Sequence, residues 1–576
     1  MPAIIDSDVR GGHVWHRLPT EIRQHILAQL DATDIIHLIH TCKQLYNTVR
    51  LDYPVWRGLF HRSFPACDAE EDWLTWRYAH SDDDDEKEED VCKYQRQGHT
   101  WRAHIGTRIN TDWWQLYWER ARLEHNWRQG RFAAASIPLA MTDGATVAST
   151  AADELAQLDI LATRAWGTLF SCGMTGIWIV VHVAGQPLSP MTRLDVPLPP
   201  DEAASSSAVK IVSAMMTAQG CVIIHGSVLP ANASDNAETP TPVADYLWQY
   251  RLSGTSMCHE QCVRIEGGSE LLDVRGRWAL WRHPRQPGPM THCICDFGTG
   301  TCWPVLALAA GLDTEHVALE ADDNGAIIAD TAHLHRVDDR TVQVFQCRRL
   351  SRWFCWELVE HTTTTAAAAA MQASSPCHAH DAQRASRQTS VVARGALLLP
   401  GHGPLQAACT SYVHESMVLL QYTAYTSNAT RATHLSAMSM ASNRILWELS
   451  NLHPQRIIPV PERDFIVVCD ARKRYLIRHL EDGLPRYVDT WSADARLEQA
   501  IGSVFLLGRH GRSEYTLQDV VSGNRLFTLP IAEAADIQQP ATSQPCSARC
   551  CRLVASPVHL GHIDHDTGQF HCWTFA

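Results

Sequence analysis

The chain has 576 residues, with 49 Lys and Arg against 63 Asp and Glu, for a net charge of −14. At roughly 100–200 residues per domain this length holds several domains, or one large repeat domain with appendages. The hydrophobic fraction of 45% is enough to build large cores. The acidic balance argues against general nucleic-acid binding, which needs a basic footprint to displace phosphate counterions.

No basic-then-apolar stretch opens the chain, so no secretory signal is expected. The longest apolar runs, such as 177–183, are far short of the ~20 residues that cross a bilayer, so no membrane is expected either. The 19 cysteines are odd in number and scattered. That usage fits reduced thiols and a cytoplasmic or nuclear location better than a disulfide framework.

Residues 1–14 read as a loose tail and 15–60 as short amphipathic helices. Residues 61–133 continue as helices rich in Trp and Arg, interrupted at 82–90 by DDDDEKEED, a solvated acidic loop. From 134 to 576 short β-branched or aromatic runs alternate with Gly, Asp, Asn and Pro turn signals. Low-complexity insertions are expected near 201–208, 229–243 and 361–390, with a further loose stretch at 533–548.

In the helical head, Pro19 suits a helix start, because its missing N–H and fixed φ cost nothing there. Ile22, Ile26 and Leu30 recur at i, i+4 and i+8 beside Leu27 and form one stripe. Asp31 and Asp34 offer cap oxygens for a second helix carrying Ile35, Leu38, Ile39 and Cys42. Leu45 and Val49 begin a third stripe, which Pro54 should break. Trp56, Leu59 and Phe60 close the segment. Three short helices cannot bury this many large apolar residues among themselves, so the excess should face a partner or the next domain.

Leu18, Pro19, Glu21, Ile22, Ile26, Leu27, Leu30, Asp34, Leu38, Cys42 and Trp56 agree in order and spacing with the F-box pattern, and residues 15–60 resemble that family. The resemblance implies docking onto a Skp-type linker subunit and, through it, onto a cullin–RING ubiquitin ligase. The residues it implicates in contact or its immediate support are Leu18, Pro19, Ile22, Ile26, Leu27, Leu30, Ile35, Leu38, Cys42 and Trp56.

In the connecting segment, Asp112 with Gln115 forms a helix N-cap and Gly130 a C-terminal stop. Trp114, Tyr117, Trp118 and Ala121 make one apolar stripe, and Leu116, Leu123 and Trp127 a second. Such a helix is clamped between neighbours. The string Asn126-Trp127-Arg-Gln-Gly130 is similar to the segment joining F-box and propeller in F-box/WD-repeat proteins. A generic buried helix explains it equally well, and either way it is a rigid spacer.

In the β-rich body, Asp-x-x-[Ser/Thr]-Gly occurs at 296–300, 519–523 and 564–568, and weaker turns fall at 174–176, 442–443 and 481–483. The late turns are spaced by about 40–45 residues, the length of a four-stranded propeller blade. Residues 246–250, 278–281 and 353–356 are aromatic strand candidates. The body resembles a degenerate WD-repeat β-propeller of about seven or eight blades, although no Trp-Asp dipeptide occurs. The fold class expected is therefore multidomain, helical F-box and linker followed by an all-β propeller.

Catalytic chemistry is not apparent. Cys258-His259-x-x-Cys262, with Cys293, Cys295 and Cys302 downstream, lacks a clean pair of zinc-ligand motifs and reads as buried free cysteine. Cys546, Cys550 and Cys551 are weaker still. The 31 histidines form no recognisable constellation. Phosphate-binding and nucleophile-elbow motifs are missing. Arg348, Arg349 and Arg352 read as ordinary surface arginines, so no substrate site is assigned.

Only five of the 49 basic residues are lysines, namely Lys43, Lys87, Lys93, Lys210 and Lys473. A coding bias toward Arg explains this, and protection of a receptor from self-ubiquitination is the functional alternative. The expected role is that of a non-enzymatic substrate receptor of an SCF-type ligase, with a protein substrate and no cofactor or metal. The other reading is a scaffold or trafficking protein that binds only the linker subunit.

Overall fold

The computed structural model describes residues 15, 17–64, 67–78, 111–139, 158–172, 176–199, 208–229, 244–283, 291–297, 300–304, 331–336, 341–348, 352–361, 386–396, 407–414, 417–425, 431–439, 442, 444–450, 456–460, 465–469, 475–489, 495–501, 505–510, 514–519, 524–530, 553–565 and 568–576. The tail 1–14, the acidic run 82–90 and the stretch 533–548 lie outside these residues.

Among its described residues the head has four complete helices: α1 (Thr20–Gln29), α2 (Ala32–Thr41), α3 (Lys43–Arg50) and α4 (Tyr53–Ser63). Asp31 caps α2 by accepting the Asp34 N–H at 2.8 Å. Pro54 corrects the sequence reading. It does not end a helix but sits in the first turn of α4, where no intrahelical donor is needed. Trp56, Leu59 and Phe60 therefore lie on a fourth helix and are buried there.

Among the described residues two further helices, α5 (Asp68–Tyr78) and α6 (Trp113–Gln129), make the connection. Asp112 caps α6 through the Gln115 N–H at 3.0 Å. Gly130 ends it at φ 61°, its N–H donating to the carbonyls of Asn126 and Trp127. The stripe assigned to Trp118 is incomplete, because that ring is exposed while Leu116, Tyr117, Leu123 and Trp127 are buried. No helix among the described residues is long and apolar enough to cross a membrane.

The body is a β-propeller. Among the described residues there are eight four-stranded antiparallel sheets, at 158–193, 208–265, 270–304, 331–396, 407–450, 456–489, 495–530, and 554–574 completed by 133–138. In the last sheet Ala133–Pro138, the first strand after the helices, pairs with Gln569–Thr574 in the register Ala133↔Thr574 to Pro138↔Gln569. The two ends of the body are thus closed on each other. First strands lie side by side through the first five complete sheets and again from the seventh to the last, and that of the last sheet meets Leu158–Arg164 of the first complete one. The linker ends one residue sooner than the sequence boundary at 133.

The turn signals fall between strands as expected, but in two phases. The turns at 442–443, 481–483 and 519–523 join third and fourth strands. The turn at 564–568 joins the second and third strands of its sheet, because the N-terminal strand supplies the fourth. The 45-residue step into that turn therefore does not measure a blade. Two insertions also meet strands: Ser386–Ala396 and Arg352–His361 take both ends of the stretch expected at 361–390, and Ala208 and Leu229 are strand residues.

Candidate functional site: an apolar ridge on a rigid arm

The amphipathic stripe of α1 is split by its packing. Leu27 turns into the core and Leu30 is half-buried, whereas Ile22 and Ile26, one turn apart, are 48% and 38% exposed. Pro19 is exposed at the head of the same helix and Leu18 is half-buried. Two residues not singled out from sequence are also exposed, at the junction of α3 and α4: Leu51 at 64% and Tyr53 at 41%. Gln24 on α1 reaches that junction by donating to Asp52 at 3.1 Å. On another face of α1 a shallow groove against α4 is lined by Gln24, Ala28, Pro54, Gly58 and Arg62. Arg62 donates to the carbonyls of Ala28 and Leu30 at 2.6 and 2.7 Å, occupying C-terminal acceptors that α1 cannot bond itself.

The ten residues expected to serve a partner do not all reach the surface. Leu27, Ile35 and Trp56 are buried in this chain's own core, and the Trp56 indole N–H is engaged by the Val49 carbonyl at 2.8 Å. They can only support a contact made by others. Leu38 and Cys42 are half-buried. The Cys42 sulfur accepts the Leu45 N–H at 3.4 Å, so it caps α3.

Behind the ridge one apolar cluster runs without a break from Leu27 through α4, α5 and α6 to Phe575 at the end of the propeller. At the head–linker joint Trp56 meets Trp114 edge-on at 4.4 Å, and Phe60 lies 5.7 Å from Trp113. Glu70 and Arg120 pair out of water, with oxygens 2.8 and 2.9 Å from the guanidinium Nε. Burial works against the charged Arg120, but the Glu70 and Glu124 carboxylates hold its pKa above the usual value.

The linker is then bolted to the propeller at several sheets. Both Asp72 oxygens accept the Ala165 N–H at 2.9 Å, and the Thr75 hydroxyl donates to the Ala218 carbonyl at 2.7 Å. Arg275 pairs with Asp68. From α6, Asn126 and Trp127 donate to the carbonyls of Phe575 and Pro557, each at 2.7 Å, and Arg128 pairs with Asp519 at 3.0 Å. The Trp127 ring stacks on Phe575 at 3.6 Å and 8°.

Ala165, Ala218, Arg275 and Pro557 stand at hairpins between first and second strands, and Asp519 ends a third strand. These hairpins share one end of the propeller. The opposite end carries the second-to-third hairpins and the links between sheets, and among the described residues none of these helix contacts falls there.

Chemistry-bearing clusters are few. The Cys258 to Cys302 set does not converge on a common point, and it is not uniformly buried as expected: Cys293 and Cys295 are, but Cys258 is exposed. Cys546, Cys550 and Cys551, the backbone at Arg349, and the side chains of Arg348 and Arg352 lie outside the described parts. A polar cleft between the second and third sheets holds Arg251 paired with Glu260 at 2.8 Å and Arg277 paired with Asp296 at 3.2 Å, so its cations are already balanced. One set of potential metal ligands does converge among the described residues: His182, His559 and Cys572, all buried. Sequence gave no sign of it, because His182 is over 370 residues from the other two.

Comparison with known proteins matches residues 15–62 to the F-box-like family, and an F-box-like domain occupies this part of the chain. No curated protein matches the chain. Among solved structures it is similar to BamB from Moraxella catarrhalis, at 12% identity over 77% of this chain and 99% of the other, TM-score 0.36. It is also similar to Sqt1 of Saccharomyces cerevisiae, at 7% identity over 71% and 92%, TM-score 0.36. A third is the Cps50 (Swd1) β-propeller domain of Myceliophteria thermophila, at 9% identity over 58% and 92%, TM-score 0.30. Similarities this slight add no weight to what the sheets themselves display.

Proposed function

We propose that this protein is a substrate receptor of an SCF-type ubiquitin ligase. The F-box-like head docks a Skp-type linker subunit and the propeller presents a protein substrate. The observation that carries the reading is the Pro19–Ile22–Ile26 ridge, left open on a head whose core packs into a continuous arm. Exposed isoleucines at i and i+4 on a well-packed helix cost solvation unless another chain covers them.

The stiffness of the arm fits the role. The protein needs no catalytic group of its own if it holds a substrate at a fixed place relative to the ligase, because the gain is effective concentration. A loose tether would dilute that gain. The helices occupy one end of the propeller, so the substrate belongs on the opposite end.

The test is co-purification with a Skp-type subunit and a cullin. Replacing Ile22 and Ile26 together by Asp places charges where the partner must be apolar. Because both side chains are exposed, the far-ultraviolet circular dichroism should be unchanged while the linker subunit is lost by at least 100-fold. Retained binding by the folded double variant refutes the docking site. Capture of the linker subunit without cullin favours a non-degradative scaffold instead.

A further inference from the structure

We propose that His182, His559 and Cys572 form a structural transition-metal site, with Zn2+ as its natural class of occupant, that staples the closing sheet of the propeller to the first complete sheet. One ligand atom from each of the three lies within 4.8 Å of the other two, and all three residues are buried.

The hydrogen bonds leave the imidazoles poised for this. His182 Nε2 lies 3.4 Å from the Thr168 hydroxyl, and its Nδ1 has no hydrogen-bond partner. His559 Nδ1 lies 2.9 Å from the Thr574 hydroxyl, and no side chain engages its Nε2. In each ring a threonine engages one nitrogen; His182 Nδ1 is left over, while the Ala165 backbone also bonds the His559 ring. Outer hydrogen bonds orient metal-bound histidines in this way when the nitrogen opposite the threonine is the one that takes the metal. A buried nitrogen without a partner costs stability, and bound metal would remove that cost. Ala165, whose backbone also interacts with the His559 ring, is the competing partner when no metal is present.

The distances are compatible with the chemistry. Zn–N and Zn–S bonds of about 2.1 and 2.3 Å in a tetrahedron put ligand atoms about 3.4–3.7 Å apart. The side chains must therefore close by about 1 Å, within the reach of small χ rotations. Two imidazoles and a thiolate suit zinc, and a water or hydroxyl oxygen completes four-coordination. On binding, the Cys572 S–H gives its proton to solvent and the sulfur binds as thiolate. Both imidazoles bind through lone pairs and lose no proton.

Placement explains the consequence. His182 follows the third strand of the 158–193 sheet, whereas His559 and Cys572 belong to the sheet that the N-terminal strand closes. Trp76 of α5 covers the cluster, its ring 6.0 Å from His559. The metal thus joins first sheet and last beneath the docked linker. A ligand held only by the folded state stabilises it in proportion to log concentration.

The experiment uses the full chain, stripped with chelator and dialysed against Zn2+ or Co2+ alone. We expect one equivalent of zinc by mass spectrometry, a rise in Tm on loading, and a thiolate-to-metal charge-transfer band with Co2+. Cys572→Ser should abolish the band and lower bound zinc by one equivalent, and His182→Gln should do the same to the zinc while keeping the fold by circular dichroism. The inference is overturned if the wild-type chain binds no stoichiometric metal and its Tm does not move. It is equally overturned if either folded variant keeps the full equivalent. Should Cys572→Ser fail to fold, the wild-type titration and His182→Gln decide the matter.

Discussion

The joint between α5 and α6 offers the sharpest test of a stiff arm. Replacing Glu70 with Ala removes the acceptor of three hydrogen bonds donated by Arg120, two from Nε and one from Nη2, and leaves a guanidinium that is 4% exposed. Stripping one member from a buried ion pair costs about 3–5 kcal/mol. Two features place the cost at the low end. Glu124 Oε1 stays 3.2 Å from Arg120 Nη1, and the guanidinium still lies over the Phe64 and Trp73 rings at 4.8 and 5.9 Å. A loss of about 3 kcal/mol should raise local opening by about 100-fold, since each 1.4 kcal/mol is tenfold. Native-state hydrogen exchange reads this directly, because amides of α5 and α6 should exchange about two decades faster while the central strands of the propeller do not change. A matched apolar replacement, Glu70→Leu with Arg120→Met, should recover most of the loss, since neither charge then needs solvating. If Glu70→Ala accelerates exchange in these helices by less than about threefold, the pair does not hold the joint. The aromatic stack alone would then carry the arm, and the electrostatic argument fails.

Three other outcomes follow from the same contacts. Burial pushes Asp72 from 3.8 to about 7, against the opposing pull of Arg164 and the Ala165 N–H. The folded state then holds more protons than the unfolded one between those values, so this group's contribution is full below about pH 4 and is lost as pH rises toward 7. Asp72→Asn cannot titrate, and its stability relative to wild type should rise between pH 5 and pH 8 in denaturation curves; a flat difference refutes the assignment. Gly130→Ala forces an L side chain to φ 61° and sets its Cβ 3.3 Å from the Phe527 ring, so it should cost about 1–2 kcal/mol in thermal denaturation. An unchanged Tm would mean that the helix end is not strained. Adding surface lysines to the propeller should shorten the half-life of the protein in cells if scarce lysine protects it, and an unaltered half-life assigns the scarcity to composition.

The contrast between what the sequence reveals and what it hides has a physical cause. Local devices are legible because their residues are neighbours. Asp112 caps α6, Gly130 ends it, and the turns at 481–483 and 519–523 join strands, each determined within a few residues. Pro54 misleads because proline disfavours a helix interior and favours a first turn, and only packing decides which applies. The ridge is half legible. Periodicity names Ile22, Ile26, Leu27 and Leu30 together, but their division between core and solvent depends on where α4 lies. The phase of the last turn is hidden for a stronger reason: the fourth strand of that sheet is at 133–138, over 400 residues away in sequence. The same closure brings His182 beside His559 and Cys572. Ring closure converts distant sequence into close space, so the ligands that would lock it are the residues least visible to any local pattern.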